Sequence, residues 1–135
     1  MKELKLAATV ENIEVVTEFV DRQLEALDCP MKAQMQIDIA IDELMSNIAN
    51  YAYRPEIGDV TVQVAIREDP LAVIITFIDG GRPFDPLSSE DPDITLSAEE
   101  RSVGGLGIFM VKKSMDEVSY AYKDGQNILT IKKQL

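Results

Sequence analysis

The chain has no histidine in its 135 residues and a single cysteine, Cys29. The missing histidine removes Ser-His nucleophile systems, histidine-ligated zinc and phosphohistidine chemistry together. One cysteine leaves no internal disulfide and fits a reducing, cytoplasmic compartment. Cys29 precedes Pro30 at a junction between two helical patterns, where a packing role is expected. No apolar run approaches the ~18–20 residues of a membrane span, and the first residues lack the basic start and apolar middle of a signal peptide. A basic run is missing too. The formal net charge of −11 argues against a nucleic-acid or anionic-membrane partner, because nothing is placed to hold phosphate backbones. Any chemistry must come from carboxylates, amides, glycines and a few cations.

What is present reads as one ordinary globular domain over residues 1–135: 46% hydrophobic and 27% charged, with enough length for a real core. Leu4, Leu6, Ala8 and Val10 alternate weakly in a first strand from Lys2 to Val10. Asn12 is placed to cap a helix carrying Ile13, Val16, Phe19, Val20, Leu24 and Leu27 on one face. After Cys29-Pro30 a second helix is expected from about Met31 to Tyr53, stopped by Pro55 and Gly58. Val60, Val62, Val64 and Ile66 alternate in a half-buried strand. Leu71 to Ile78 is apolar on both faces and predicts a central strand hairpinned to it. Residues from Asp79 to Val103 carry prolines, serines and acids without period, the pattern of a lid (about 80–103). A short helix follows the glycines at 104–107. Two strands then flank Asp124-Gly125, a strong hairpin turn. The order predicts a two-layer α/β (α+β) sandwich: a mostly antiparallel sheet of about five strands with three helices on one face.

Four features could carry chemistry. Ile37, Ile41, Leu44, Ile48 and Tyr51 fall in a stripe about 80° wide on the second helix. About a third of a turn away Glu43, Asn47 and Asn50 stack at spacings of four and three. Asparagine is a poor helix former, so the stripe is either a solvated face or a ligand face. Asp79-Gly80-Gly81 ends the central strand. It serves equally as a turn or as a carboxylate for an exocyclic amine, with a glycine that admits a flat ligand. Gly104-Gly105-Leu106-Gly107 opens a helix, as a hinge, an anion-binding turn or both. Arg101, in an otherwise acidic loop, either balances its neighbours or reaches a terminal phosphate. An amide oxygen at Asn47 suits Mg²⁺, and Glu43 one turn away could take a proton from an attacking hydroxyl or water.

Together, in this order, these features resemble the GHKL ATPase superfamily (the Bergerat fold), and within it the stand-alone anti-sigma factor serine/threonine kinases. Glu43-x-x-x-Asn47 resembles the family's N box, Asp79-x-Gly81 its adenine box, and Arg101-Ser-Val-Gly-Gly-Leu-Gly107 its lid end and phosphate box. The phrases Asp79-Gly-Gly-Arg-Pro-Phe-Asp-Pro86 and Ser114-Met-Asp-Glu-Val118 resemble this kinase branch. The resemblance implies ATP and Mg²⁺ as cofactors, Glu43 as general base and Asn47 as metal ligand. It implies ATP binding by Asn47, Asn50, Asp79, Gly81, Arg101, Gly104, Gly105, Leu106, Gly107 and Thr130, with Thr130 backing Asp79. It further implies phosphorylation of an anti-sigma factor antagonist, a sigma factor as a second partner, and a homodimer. Tyr51 stands where many relatives carry histidine, and the glycine series is short. The residues themselves leave open two alternatives: an ATP-binding switch that sequesters a partner without phosphotransfer, and a small ATPase.

Overall fold

The computed structural model describes residues 1–88 and 106–135. In chain order its elements are β1 (Lys2–Ala7), a 3-10 turn (Val10–Asn12), α1 (Ile13–Ala26), α2 (Met31–Asn47) and a π-helical turn (Ile48–Ala52). They continue with β2 (Asp59–Arg67), β3 (Ala72–Asp79), α3 (Leu106–Ser114), β4 (Glu117–Lys123) and β5 (Gln126–Gln134). Five strands make one sheet in the order β1-β2-β3-β5-β4, each neighbouring pair antiparallel. The expected two-layer sandwich is the observed fold. Of the expected lid, residues 89–103 lie outside the described residues.

The alternation along β2 and the two-sided apolar run of β3 account for the core. Val60, Val62, Val64, Val73, Ile75, Phe77, Leu129 and Ile131 form the covered face of the sheet. Val16, Val20 and Leu24 of α1, and Ile37, Ile41 and Leu44 of α2, pack onto that face with Ile108 and Val111 of α3. Phe77 is fully buried at its centre, a burial that stabilises by about 2–3 kcal/mol. Thr61, Ile74, Thr76, Ile78, Ile128 and Thr130 point the other way and are half-buried. Asp124 and Gly125 both take positive φ, 54° and 76°, the geometry that a two-residue hairpin turn demands.

Two local expectations are corrected. Asn12 holds the N-cap position of α1 as expected but makes no side-chain capping bond; its side-chain N–H donates instead to the Ala7 carbonyl at 2.8 Å, tying the helix start to the end of β1. The second helix is not uniform to Tyr53. It is an α-helix to Asn47 and then widens into the π-turn, whose i→i+5 bonds add a residue to the turn. Cys29 is half-buried against the core, as a packing residue would be.

Candidate functional site

The C-terminal end of α2, the loop after β3 and the ends of β4 and β5 enclose a pocket of about 440 Å³, counting its open mouth. Asp79, Asn127, Asn47, Arg82, Phe77 and Leu129 are among its lining residues. Asp79 is the last residue of β3 and sits on the same face as Phe77, so strand alternation carries its carboxylate inward, where it is 5% exposed. Its Oδ1 accepts from the Gly81 N–H and from Asn127 Nδ2, both at 2.9 Å. Among the described residues both donors fall on that one oxygen, which leaves Oδ2 for a donor in the pocket.

Asn127 lies directly across from Asp79 in the β3–β5 register and is equally buried. Its amide nitrogen donates to Asp79 and, at 2.9 Å, to the Arg82 carbonyl. Its oxygen accepts from the Phe84 N–H at 3.1 Å and from the Tyr120 hydroxyl. Every donor and acceptor of this side chain is therefore used. The residue joins the Asp79 carboxylate to the loop that follows it. Sequence reasoning missed it. An asparagine inside a strand is a poor strand former and was the available signal.

Thr130 does not take that position, a correction of the expectation. Counting by twos from Asn127 puts Leu129 and Ile131 on the pocket side and Thr130 on the opposite face of the sheet. There it pairs with Thr76, Oγ1 to Oγ1 at 3.3 Å.

The loop from Asp79 to Arg82 is pinned to the end of α2. The Tyr53 hydroxyl accepts from the Gly80 N–H and donates to the Asp59 carbonyl, each at 2.6 Å. Burial, ahead of all other causes, raises the pKa of this phenol. The Arg82 N–H donates to the Ala52 carbonyl at 3.0 Å. A Cβ at Gly81 would run into that same carbonyl, so only glycine lets the loop come so close to the helix end.

Glu43 and Asn47 project one turn apart from α2. Asn47 lines the pocket. Glu43 is half-buried, and its carboxylate occupies the space that a Cβ at Gly107 would fill. The structure thus brings Glu43 to Gly107, and Asn47 to Asp79, at one end of the sheet. Asn50 does not continue the stripe. It falls in the π-turn, which breaks the stacking at spacings of three and four, and its Oδ1 accepts from Arg54 Nη2 at 3.3 Å. Arg101, Gly104 and Gly105 lie outside the described residues, and Leu106 is described only as the first residue of α3.

Arg82, which the sequence reading gave no role, is the cation at the pocket wall among the described residues. Its guanidinium donates to the Arg54 carbonyl. No cluster of three or more carboxylates or thiols able to hold a metal occurs among the described residues. A lone amide oxygen at Asn47 fits Mg²⁺ arriving on a phosphate ligand, since that ion keeps waters and takes phosphate oxygens.

Comparison with known proteins agrees with this fold. The chain is 32% identical over 101 residues to a serine-protein kinase RsbW of Listeria monocytogenes, a match spanning 71% of this chain and 63% of that protein. It is 24% identical over 132 residues to a serine-protein kinase RsbW of Bacillus mycoides, covering 96% of this chain and 82% of the other. A solved Mycobacterium tuberculosis chain containing RsbU and RsbW domains shares the fold, with TM-score 0.69 and 18% identity. That match covers 100% of this chain and 33% of the solved one. The matched region is thus less than two thirds of the length of the Listeria kinase. A profile of the histidine kinase-like ATPase domain matches residues 6–133. The chain belongs to the histidine kinase-like ATPase domain family.

Proposed function

We propose that the chain is an ATP-dependent protein serine/threonine kinase of the anti-sigma factor type, acting as one domain over residues 1–135 with a lid at about 80–103. Its substrate is a serine or threonine hydroxyl on a small anti-sigma factor antagonist. The observation that carries the reading is the buried Asp79 with one oxygen held by Gly81 and Asn127, in the pocket that Asn47 also lines. A carboxylate so fixed accepts from the exocyclic amine of adenine, and the apolar wall of Phe77 and Leu129 takes the base. The names of the relatives, serine-protein kinase RsbW, support the phosphotransfer.

Glu43 then accepts the proton of the substrate hydroxyl as its oxygen bonds to the γ-phosphorus and the bond to the β,γ-bridging oxygen breaks. Bound through Asn47 and the phosphates, a magnesium ion would neutralise charge on the transferred group. Arg101 and the amides at Gly104, Gly105, Leu106 and Gly107 are assigned to the phosphates, and Gly81 to the approach of the base. Asn50 and Thr130 are left out of the set. The same reading carries a homodimer, a sigma factor held when the kinase is free, and a cytoplasmic location.

The test is transfer of labelled phosphate from ATP to a co-purified antagonist. Glu43→Gln should lower the rate by roughly 10²–10⁴-fold, the usual worth of a general base, with ATP affinity kept. Transfer at the native rate would remove Glu43 from the role. ATP binding without any phosphoprotein would instead make the chain a nucleotide switch, and phosphate release independent of partner would make it an ATPase.

A further inference from the structure

Away from the pocket, the outer side of the helical layer combines three features. Met31, Met35 and Ile39 of α2 are 78%, 57% and 60% exposed. Their spacing of four residues keeps them within about 80° of one another, an apolar strip about two turns long. Isolated exposed apolar residues are ordinary, but a contiguous strip is the mark of an interaction surface. Beside it α1 presents a shallow hollow lined by Glu14, Thr17, Glu18, Asp21, Arg22 and Glu25, in which four acids face one cation and Arg22 is paired with Glu18 at 2.5 Å.

The third feature joins the two helices. Asp21 of α1 meets Asp38 of α2, and each has its Oδ1 fully covered with no hydrogen-bond partner. Burial first, then the contact with Asp21, pushes the Asp38 carboxyl up to about 7. Cys29, in the connection between the helices, lies near both acids, and its thiol pKa is raised by burial and then by their charges. On the helical wheel Asp38 and Asp42 lie within about 20° of Met31. The outer surface of α1 and α2 therefore carries an acidic hollow, an apolar strip and, between them, an under-compensated pair of carboxylates. The far end of the strip reaches Ile39, one turn before Glu43.

We propose that this surface docks a helix of a partner protein, apolar along one face and carrying lysine or arginine along one flank. The apolar face lies on Met31, Met35 and Ile39, whose unbranched methionines adapt to varied side chains. A basic side chain reaches Asp21 and Asp38, supplying a positive charge in a hollow whose own cation, Arg22, is paired with Glu18. A second copy of this chain is the poorer occupant, because an isologous contact would set the acidic hollow near its own copy. Docking there places the partner next to Glu43. The inference rests on the kinase reading only in taking the partner to be a protein.

The test uses a fluorescent synthetic helix of about 18 residues, leucine on one face and lysine along its flank, titrated by anisotropy against the full chain. A control peptide carries glutamate in place of lysine. The lysine peptide should bind and the glutamate peptide should not. Met35→Gln with Ile39→Gln, which alters no charge, should weaken binding at least about tenfold. Asp21→Asn should weaken it about fivefold, whereas Glu68→Gln, an equal loss of charge in the β2–β3 turn, should leave it unchanged. Equal losses for Glu68→Gln and Asp21→Asn would mean unspecific attraction to an acidic protein and would overturn the proposal. Unchanged binding by the Met35/Ile39 variant would do the same. So would sedimentation showing that this variant converts a dimer to monomer. MgATP binding by these variants reports separately on the kinase reading, since none of the substituted residues lines the nucleotide pocket.

Discussion

Two acidic sites on α2 and its neighbours treat buried carboxylates in opposite ways. At the pocket, Asp79 is matched by donors: Gly81 and Asn127 serve one oxygen, while Asn127 itself is tied to Arg82, Phe84 and Tyr120. Where α1 meets α2, Asp21 and Asp38 face each other, with one oxygen of each covered and unserved. A buried charge in a closed network is held in one geometry. A buried charge beside another of the same sign instead holds a proton, or waits for a cation. The first arrangement suits a ligand that must be read atom by atom. The second suits a surface whose partner brings the missing charge.

The comparison can be broken at several points. Asp79→Asn should have the largest effect. It replaces the acceptor for an exocyclic amine with a group that must also offer donors, and MgATP affinity should fall at least about 100-fold, the scale for a site built around one hydrogen bond. Isothermal titration with intact far-ultraviolet dichroism is the measurement, and retained affinity would move the base elsewhere. Asn127→Ala comes next. It leaves the Phe84 N–H and the Tyr120 hydroxyl without their acceptor and takes a donor from Asp79. Urea unfolding should show a loss of about 2–3 kcal/mol together with weaker ATP binding. Loss of stability alone would make Asn127 a packing residue.

At the other acidic site the sign is reversed. The Asp38 pKa is raised in the folded chain to about 7, from an unfolded value near 3.8. Between these the native state holds the extra proton, so this group's contribution to stability is present at low pH and is lost as pH rises toward 7 and beyond. Asp38→Asn keeps a donor for Asp21 at every pH. The variant should gain stability over the parent at pH 8 and lose that advantage by pH 5, followed by denaturant midpoints. A constant difference would place the proton elsewhere. The smallest effect belongs to Thr130→Val. On the far face of the sheet it should leave ATP affinity unchanged and alter stability by no more than about 0.5 kcal/mol. A large loss of affinity would restore Thr130 to the site.

How much of this the sequence disclosed follows from the range of the interactions. The β2–β3 hairpin, the turn at Asp124-Gly125 and the core face of α1 are local patterns of period 2 or 3.6, and all were legible. So was the Glu43–Asn47 face, because four residues on a helix bring side chains together whatever surrounds them. Asn127 was not, because its meaning depends on a strand register 48 residues away. Asn127 and Thr130 are three residues apart and so face opposite sides of the strand, and only the true register shows which of them stands across from Asp79. Asn50 misled for another reason. The wheel presumes uniform geometry, and the π-turn after Asn47 breaks the phase where the stripe would have continued. The carboxylate pair at Asp21 and Asp38 was likewise hidden, since each acid alone looks like surface charge.

Gly107 has a further consequence. The Glu43 carboxylate fills the space where its side chain would stand, so two functions that a chemist would tune separately share one set of coordinates. Enlarging residue 107 displaces the carboxylate, and shifting the carboxylate opens a void at the first turn of α3. The absence of a side chain at residue 107 is therefore what leaves the Glu43 carboxylate its place beside the first turn of α3.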